Sequence, residues 1–147
     1  MKKILSMYLF FVVNLIFSQE FYLADSLFQA GNYDKALANY MKSNNEFKYF
    51  KIAKFYENQE DFTNANHNYR IYTNKFPNDY NSNYEYAKFL YDHKMIDPSI
   101  EILKKLVLQQ ENTFVFYYLG LCYEKKNELM LAKENFIKAS KTDSYHL

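Results

Sequence analysis

The chain has 147 residues, of which 49% are hydrophobic and 20% aromatic, with a formal net charge of +1. That length holds one ordinary domain, and the apolar content excludes a disordered chain. Only two Gly and two Pro occur, too few turn residues for a typical sheet protein.

At the N-terminus, Lys2 and Lys3 precede a 14-residue, mostly apolar run from Ile4 to Phe17, followed by Ser18 and Gln19. This is the layout of a secretory signal peptide over residues 1–18, with cleavage expected after Ser18. The run is shorter than the roughly 18–20 apolar residues that span a bilayer, and Asn14 interrupts it. An uncleaved anchor is the alternative. No cysteine follows the run, so lipid attachment there is excluded. Cleavage removes two lysines and no acids, leaving 16 basic and 17 acidic residues, a net charge of −1. Such a balance gives no electrostatic reason to expect nucleic acid or an anionic membrane as partner. The mature chain is expected in the periplasm or beyond, without stable membrane insertion. Cys122 is its only cysteine, so no intramolecular disulfide can form.

Beyond residue 18 the sequence repeats. Small residues at Ala24, Ala53, Ala87 and Gly120 are 29, 34 and 33 positions apart, and Ala36, Ala65, Ser99 and Ala132 share those intervals. So do three columns of large residues: Leu27, Tyr56, Leu90 and Tyr123; Tyr33, Phe62, Ile96 and Leu129; Tyr40, Tyr69, Leu103 and Phe136. Five columns with one set of offsets indicate four related units, and a period near 34 indicates stacked helical pairs. Within each unit the apolar spacing predicts two helices. Asn32, Asp61 and the Asp97-Pro98 pair are expected to start the second helices, and Pro77 to close the second unit. The recurring small residues allow two helices to cross closely, with bulky neighbours filling the space around the contact. Gly31 has no glycine counterpart: Glu60, Lys94 and Asn127 stand in its place, as a phosphate-cradling loop would not tolerate. The stretch "GNYDKALANY" therefore reads as the turn and second helix of a unit.

The units resemble tetratricopeptide repeats. The likeness is carried by the Leu23-Ala24, Ile52-Ala53, Tyr86-Ala87 and Leu119-Gly120 pairs, the Gly31-Asn32-Tyr33 turn, the small residues of the second helices and Pro77. It implies an all-α solenoid of antiparallel helix pairs in a right-handed superhelix, with units at approximately 19–45, 46–79, 80–112 and 113–145. The first interval is short, which predicts a tighter turn at Ser43 to Asn45. Tyr72 and Leu106 are large where the family prefers small residues. Only "TDSYHL" follows the last unit, so apolar surface is expected on Met130, Leu131 or Ile137, and with it possible homo-oligomer formation through the C-terminal helix.

No catalytic pattern accompanies the repeat. His67, His93 and His146 are scattered, Cys122 reads as a packed thiol, and Glu57, Glu60 and Asp61 read as a turn cluster. No phosphate loop, zinc motif or nucleophile elbow occurs. Neither enzyme activity, cofactor nor metal is expected. The resemblance instead implies a protein or peptide partner in a concave groove lined by the first helices. The face concerned carries Phe21, Asp25 and Phe28, then Phe47, Phe50, Lys54 and Glu57. It continues through Tyr84, Lys88 and Tyr91 to Phe114, Tyr117, Leu121 and Glu124. The candidate groove residues are Phe21, Phe28, Phe47, Phe50, Lys54, Tyr84, Lys88, Tyr91 and Tyr117. Aromatics around two lysines suit a peptide with apolar side chains and an acidic group. The lysine–asparagine–arginine carboxylate clamp of chaperone-binding members does not carry over, because Phe21, Phe50, Tyr84 and Tyr117 fill one repeated groove position. Two alternatives stay open: the aromatics pack against one another, or they are buried in an assembly as a structural subunit.

Overall fold

A computed structural model describes residues 19–143, and all its regular structure there is helical. Helix α1 covers residues 19–29 of this range. It is followed by α2 (Tyr33–Lys42), α3 (Lys48–Asn58), α4 (Phe62–Lys75), α5 (Tyr80–Asp92), α6 (Ile96–Gln109), α7 (Thr113–Lys125) and α8 (Leu129–Asp143). The chain divides into two compact units, one ending at Lys75 and the other beginning at Phe76.

Four short turns join α1 to α2, α3 to α4, α5 to α6 and α7 to α8, and all four have the same geometry. Gly31, Glu60, Lys94 and Asn127 adopt φ of +77°, +58°, +63° and +61°. At each turn the N–H of that residue donates to the carbonyl three positions back, and the next N–H donates five back. Thus Gly31 pairs with Phe28 at 3.0 Å and Asn32 with Leu27 at 2.9 Å, while Lys94 pairs with Tyr91 at 2.9 Å and Met95 with Leu90 at 2.8 Å. This is the Schellman ending, which satisfies carbonyls that a helix terminus would leave bare. The glycine does not recur, but the left-handed backbone does. Three of the four turns place a side chain where an L-residue carries a steric penalty.

The small-residue columns do what close helix crossing requires. Ala24, Ala53, Ala87, Ala36, Ala65 and Ser99 are completely buried, and Ala132 nearly so. Ser99 shows the crossing directly, its hydroxyl donating to the Ala87 carbonyl at 2.8 Å. A Cβ on Gly120 would lie 2.5 Å from the Phe136 ring, so the glycine is where α7 and α8 touch. In the first unit, Phe21, Ala24, Ala36, Tyr40 and Ile52 form a core cluster. In the second, Ile100, Leu103, Leu106, Val115, Leu119 and Cys122 lie in one. Both oversized family positions are accommodated inside: Tyr72 and Leu106 are buried.

Three expectations are corrected. The short first interval does not come from a tighter turn. The connection of residues 43–47 is longer than those of 76–79 and 110–112. The loss falls on α2, with 10 residues against 14 in α4, and on α3, with 11 against 13 in α5. Buried Ser43 ends α2, its hydroxyl accepting from Asn45 N–H and its carbonyl from Lys48 Nζ. Second, Asp97-Pro98 is not an N-cap pair. Helix α6 begins at Ile96 with Met95 in the cap position, and Asp97 instead accepts from Lys126 Nζ at 2.6 Å. Pro98 is tolerated because the first turn of a helix has N–H groups without intrahelical partners. Third, the column of Tyr33, Phe62, Ile96 and Leu129 is not uniformly inside the helix pair: Phe62 and Leu129 are exposed, while Tyr33 packs on Phe28 at 5.2 Å and Ile96 lies against the core.

Asp61 caps as expected, accepting from Asn64 N–H at 3.1 Å. The Asn64 side-chain amide, and then that backbone N–H, hold its carboxyl below the usual range. Asn32 occupies the cap position of α2 without a side-chain hydrogen bond.

Candidate functional site

In the first unit, Phe28 on α1 and Phe50 and Lys54 on α3 line a cleft of about 260 Å³, joined by Tyr40, Lys51 and Asn58. Its apolar wall is braced by ring contacts. Phe47 and Phe50 stack at 5.1 Å, with Tyr72 edge-on to Phe47 at 5.4 Å and Tyr69 edge-on to Phe50 at 5.7 Å. Its two lining lysines belong to two similar groups. The Tyr40 hydroxyl donates to Asp25, which also pairs with Lys51 at 3.0 Å. The Tyr69 hydroxyl donates to Glu57 at 2.6 Å, which pairs with Lys54 at 3.0 Å. Burial, and then the hydrogen bond and charge of Asp25, push the Tyr40 phenol far above its ordinary pKa, so it remains a donor. Each buried phenol thus fixes a carboxylate, and each carboxylate holds an ammonium beside the aromatic wall.

One candidate departs from this surface. Phe21 is only 7% exposed and packs on Tyr40 at 5.7 Å and Phe47 at 6.2 Å. It fills the core, two turns of α1 away from the cleft-lining Phe28.

In the second unit, Tyr84, Lys88 and Tyr91 share a face of α5, and Tyr117 lies on α7. They are brought together by Tyr118. Its ring stands nearly perpendicular to Tyr84, Tyr91 and Tyr117 at 5.8, 5.7 and 5.9 Å. Tyr117 is 47% exposed and also meets Phe136 at 5.8 Å. The Lys88 ammonium lies 5.5 Å from the Tyr84 ring centroid and 3.1 Å from Glu85. Burial alone would lower the Lys88 pKa, but Glu85 more than offsets it and the net direction is upward. Burial raises the phenols of Tyr84 and Tyr118. The face is therefore a set of phenols around one cation.

Sequence spacing did not single out Tyr118 or Lys51. Tyr118 adjoins Tyr117 in sequence, and its role comes from a neighbouring helix. Lys51 is recruited by Asp25, 26 positions away.

The other reactive groups have structural surroundings. Cys122 is buried, its sulfur 3.5 Å from the Ser99 hydroxyl, and burial pushes the thiol up, away from a reactive thiolate. His67 is exposed, and His93 ends α5 with its ring 4.5 Å from Phe89. His146 lies outside the described residues, as do residues 1–18. Among the described residues, no group of three or more His, Cys, Asp or Glu could hold a metal ion. No described helix is long and apolar enough to cross a membrane.

Antiparallel helix pairs with small crossing residues and a shared left-handed turn define an all-α fold of the tetratricopeptide-like solenoid class. A family model described as Tetratricopeptide repeat matches residues 49–79, spanning α3, α4 and the following connection. Among solved structures, the fold is similar to MamA 41-end from Desulfovibrio magneticus RS-1, at 18% identity and a TM-score of 0.76, covering 87% of this chain and 76% of that one. A crystal structure of MamA aligns at 15% identity and a TM-score of 0.79, covering 88% and 80%. MamA AMB-1 aligns at 16% and 0.77, covering 85% and 72%. At these identities the likeness speaks to the fold. No curated protein matches the chain by sequence.

Proposed function

We propose that this chain is an exported, non-enzymatic scaffold of four tetratricopeptide-like units that binds a protein or peptide partner through the aromatic–lysine faces of its first helices. The observation that carries the reading is the cleft of Phe28, Tyr40, Phe50, Lys51, Lys54 and Asn58. An apolar wall beside two ammonium groups suits an apolar side chain followed by an acidic one. The Tyr84, Lys88, Tyr91 and Tyr117 face has the same chemistry with phenols in place of phenylalanines. Export rests on the N-terminal sequence alone: two lysines, a short apolar run and Ser18. A role as an assembly subunit, with these faces covered, is the second reading, favoured by the exposed apolar residues of α8.

A pull-down from envelope extract tests the first reading, with a Lys54→Ala/Lys88→Ala/Tyr91→Ala variant as control. Loss of specific partners from the variant, with its helical content and melting unchanged, is the expected outcome. Equal recovery of the same partners by both proteins would rule out binding through these faces.

A further inference from the structure

We propose that the outward face of α8 joins two copies of this chain, antiparallel, about a two-fold axis passing between Lys133 and Glu134. This surface uses none of the aromatic–lysine residues above. Ala132, Asn135 and Ala139 point α8 into its own unit, so the opposite face carries Met130, Lys133, Glu134 and Ile137. Met130 is 82% exposed and Ile137 43%. They are seven residues apart, two helical turns, and so lie one above the other.

The apolar character is strongest on this helix. Met130 stands where the other second helices carry Asp34, Thr63 and Asp97. Leu131 stands where they carry Lys35, Asn64 and Pro98, and Ile137 where they carry Met41, Arg70 and Lys104. A surface that is polar at seven of these nine equivalent positions is apolar at all three on α8, as an interface requires.

The spacing of charges selects the occupant. Antiparallel pairing that sets Met130 of one copy on Ile137 of the other also sets Lys133 opposite Glu134, and the two-fold repeats both contacts. The face is self-complementary in shape and in charge. Glu134 already pairs with Lys138 at 2.7 Å in its own helix, which holds the carboxylate at the edge of the stripe. Beside Ile137, a shallow cleft of about 390 Å³ lined by Glu124, Leu129, Ala132, Lys133, Phe136 and Ser140 offers space for the flexible Met130 of the other copy. A contact through one helix from each copy is smaller than the roughly 1,200–2,000 Å² of a stable interface, so the association is weak and concentration-dependent.

Sedimentation equilibrium on the purified chain should show a monomer–dimer equilibrium that Met130→Asp weakens by about tenfold or more. Lys133→Glu should weaken it too, and the swap Lys133→Glu/Glu134→Lys should restore it. Mixing Met130→Cys with Ile137→Cys under oxidation should yield disulfide-linked dimers that neither variant forms efficiently alone. All these positions are exposed, so the variants should keep the fold, which circular dichroism checks. A chain that stays monomeric at all concentrations, or dimers indifferent to Met130→Asp and the charge swap, would overturn the proposal. Efficient linking of Met130→Cys to itself would overturn the antiparallel register.

Discussion

The two units solve the same packing problem with opposite chemistry. At one position of the second helix, the first unit buries Tyr40 and Tyr69 and the second buries Leu103, all three without exposed surface. A phenol in that position requires an acceptor, and Asp25 and Glu57 supply it, each bringing a lysine to the cleft. Leu103 requires no such acceptor, and it lies within the core cluster of the second unit. The charged edge of the first unit thus follows from the identity of a buried residue. In the second unit, the cation stands on a tyrosine face instead.

The largest effect expected from breaking this comparison is on the aliphatic side. Leu103→Ala should cost about 2–5 kcal/mol, read by chemical denaturation, because it leaves a cavity that rigid neighbours cannot fill. On the phenolic side, Tyr40→Phe keeps the ring and removes only the donor. Asp25 keeps Lys51, so the expected loss is about 1–2 kcal/mol. The same variant has a pH signature. The folded-state pKa of Tyr40 is raised, so the unfolded chain gives up this proton first. Its contribution is full below about pH 10 and declines as pH rises beyond it. Tyr84, Tyr91 and Tyr118 are shifted the same way, so Tyr40→Phe should flatten the alkaline decline without abolishing it.

The smallest effects lie in the turns, where the two units agree. Lys94→Gly and Glu60→Gly should each stabilise the fold by about 0.5–1 kcal/mol, since glycine adopts positive φ without penalty. Gly31→Ala should destabilise by about 1 kcal/mol for the same reason. Equal shifts in thermal melting for Lys94→Gly and Glu60→Gly would show that the turn geometry is independent of the packing chemistry beneath it.

Much of this fold was legible as columns. Ala24, Ala53, Ala87 and Gly120 share an interval pattern because each must be small for the same reason, and composition cannot hide that. The turns were half legible: Gly31 and Asn127 are residue types that accept left-handed backbone, while Glu60 and Lys94 gave no hint of it. Hydrogen bonding fixes those turns, not residue type. The missing residues of the first interval could be counted but not located, since a shortened helix and a shortened turn look alike in sequence. Helix spacing put Phe50 and Lys54 on one face of α3, the resemblance set that face beside Phe28 of α1, and the structure brings the three to one cleft. It could not separate Phe21, because a helix face does not reveal where core gives way to surface. The phenol–carboxylate pairs were hidden by sequence separations of 15 and 12 residues across a helix crossing.

We propose that the aromatic–lysine faces bind a peptide with apolar and acidic side chains. Selection of a random peptide library against the purified chain, followed by titration of the enriched peptides into wild type and Lys54→Ala/Lys88→Ala/Tyr91→Ala, tests it most directly. The expected result is enrichment of sequences pairing an aromatic or aliphatic residue with an acid, and binding weakened at least about tenfold in the variant. Peptides without that pattern, or peptides bound equally well by both proteins, would contradict it.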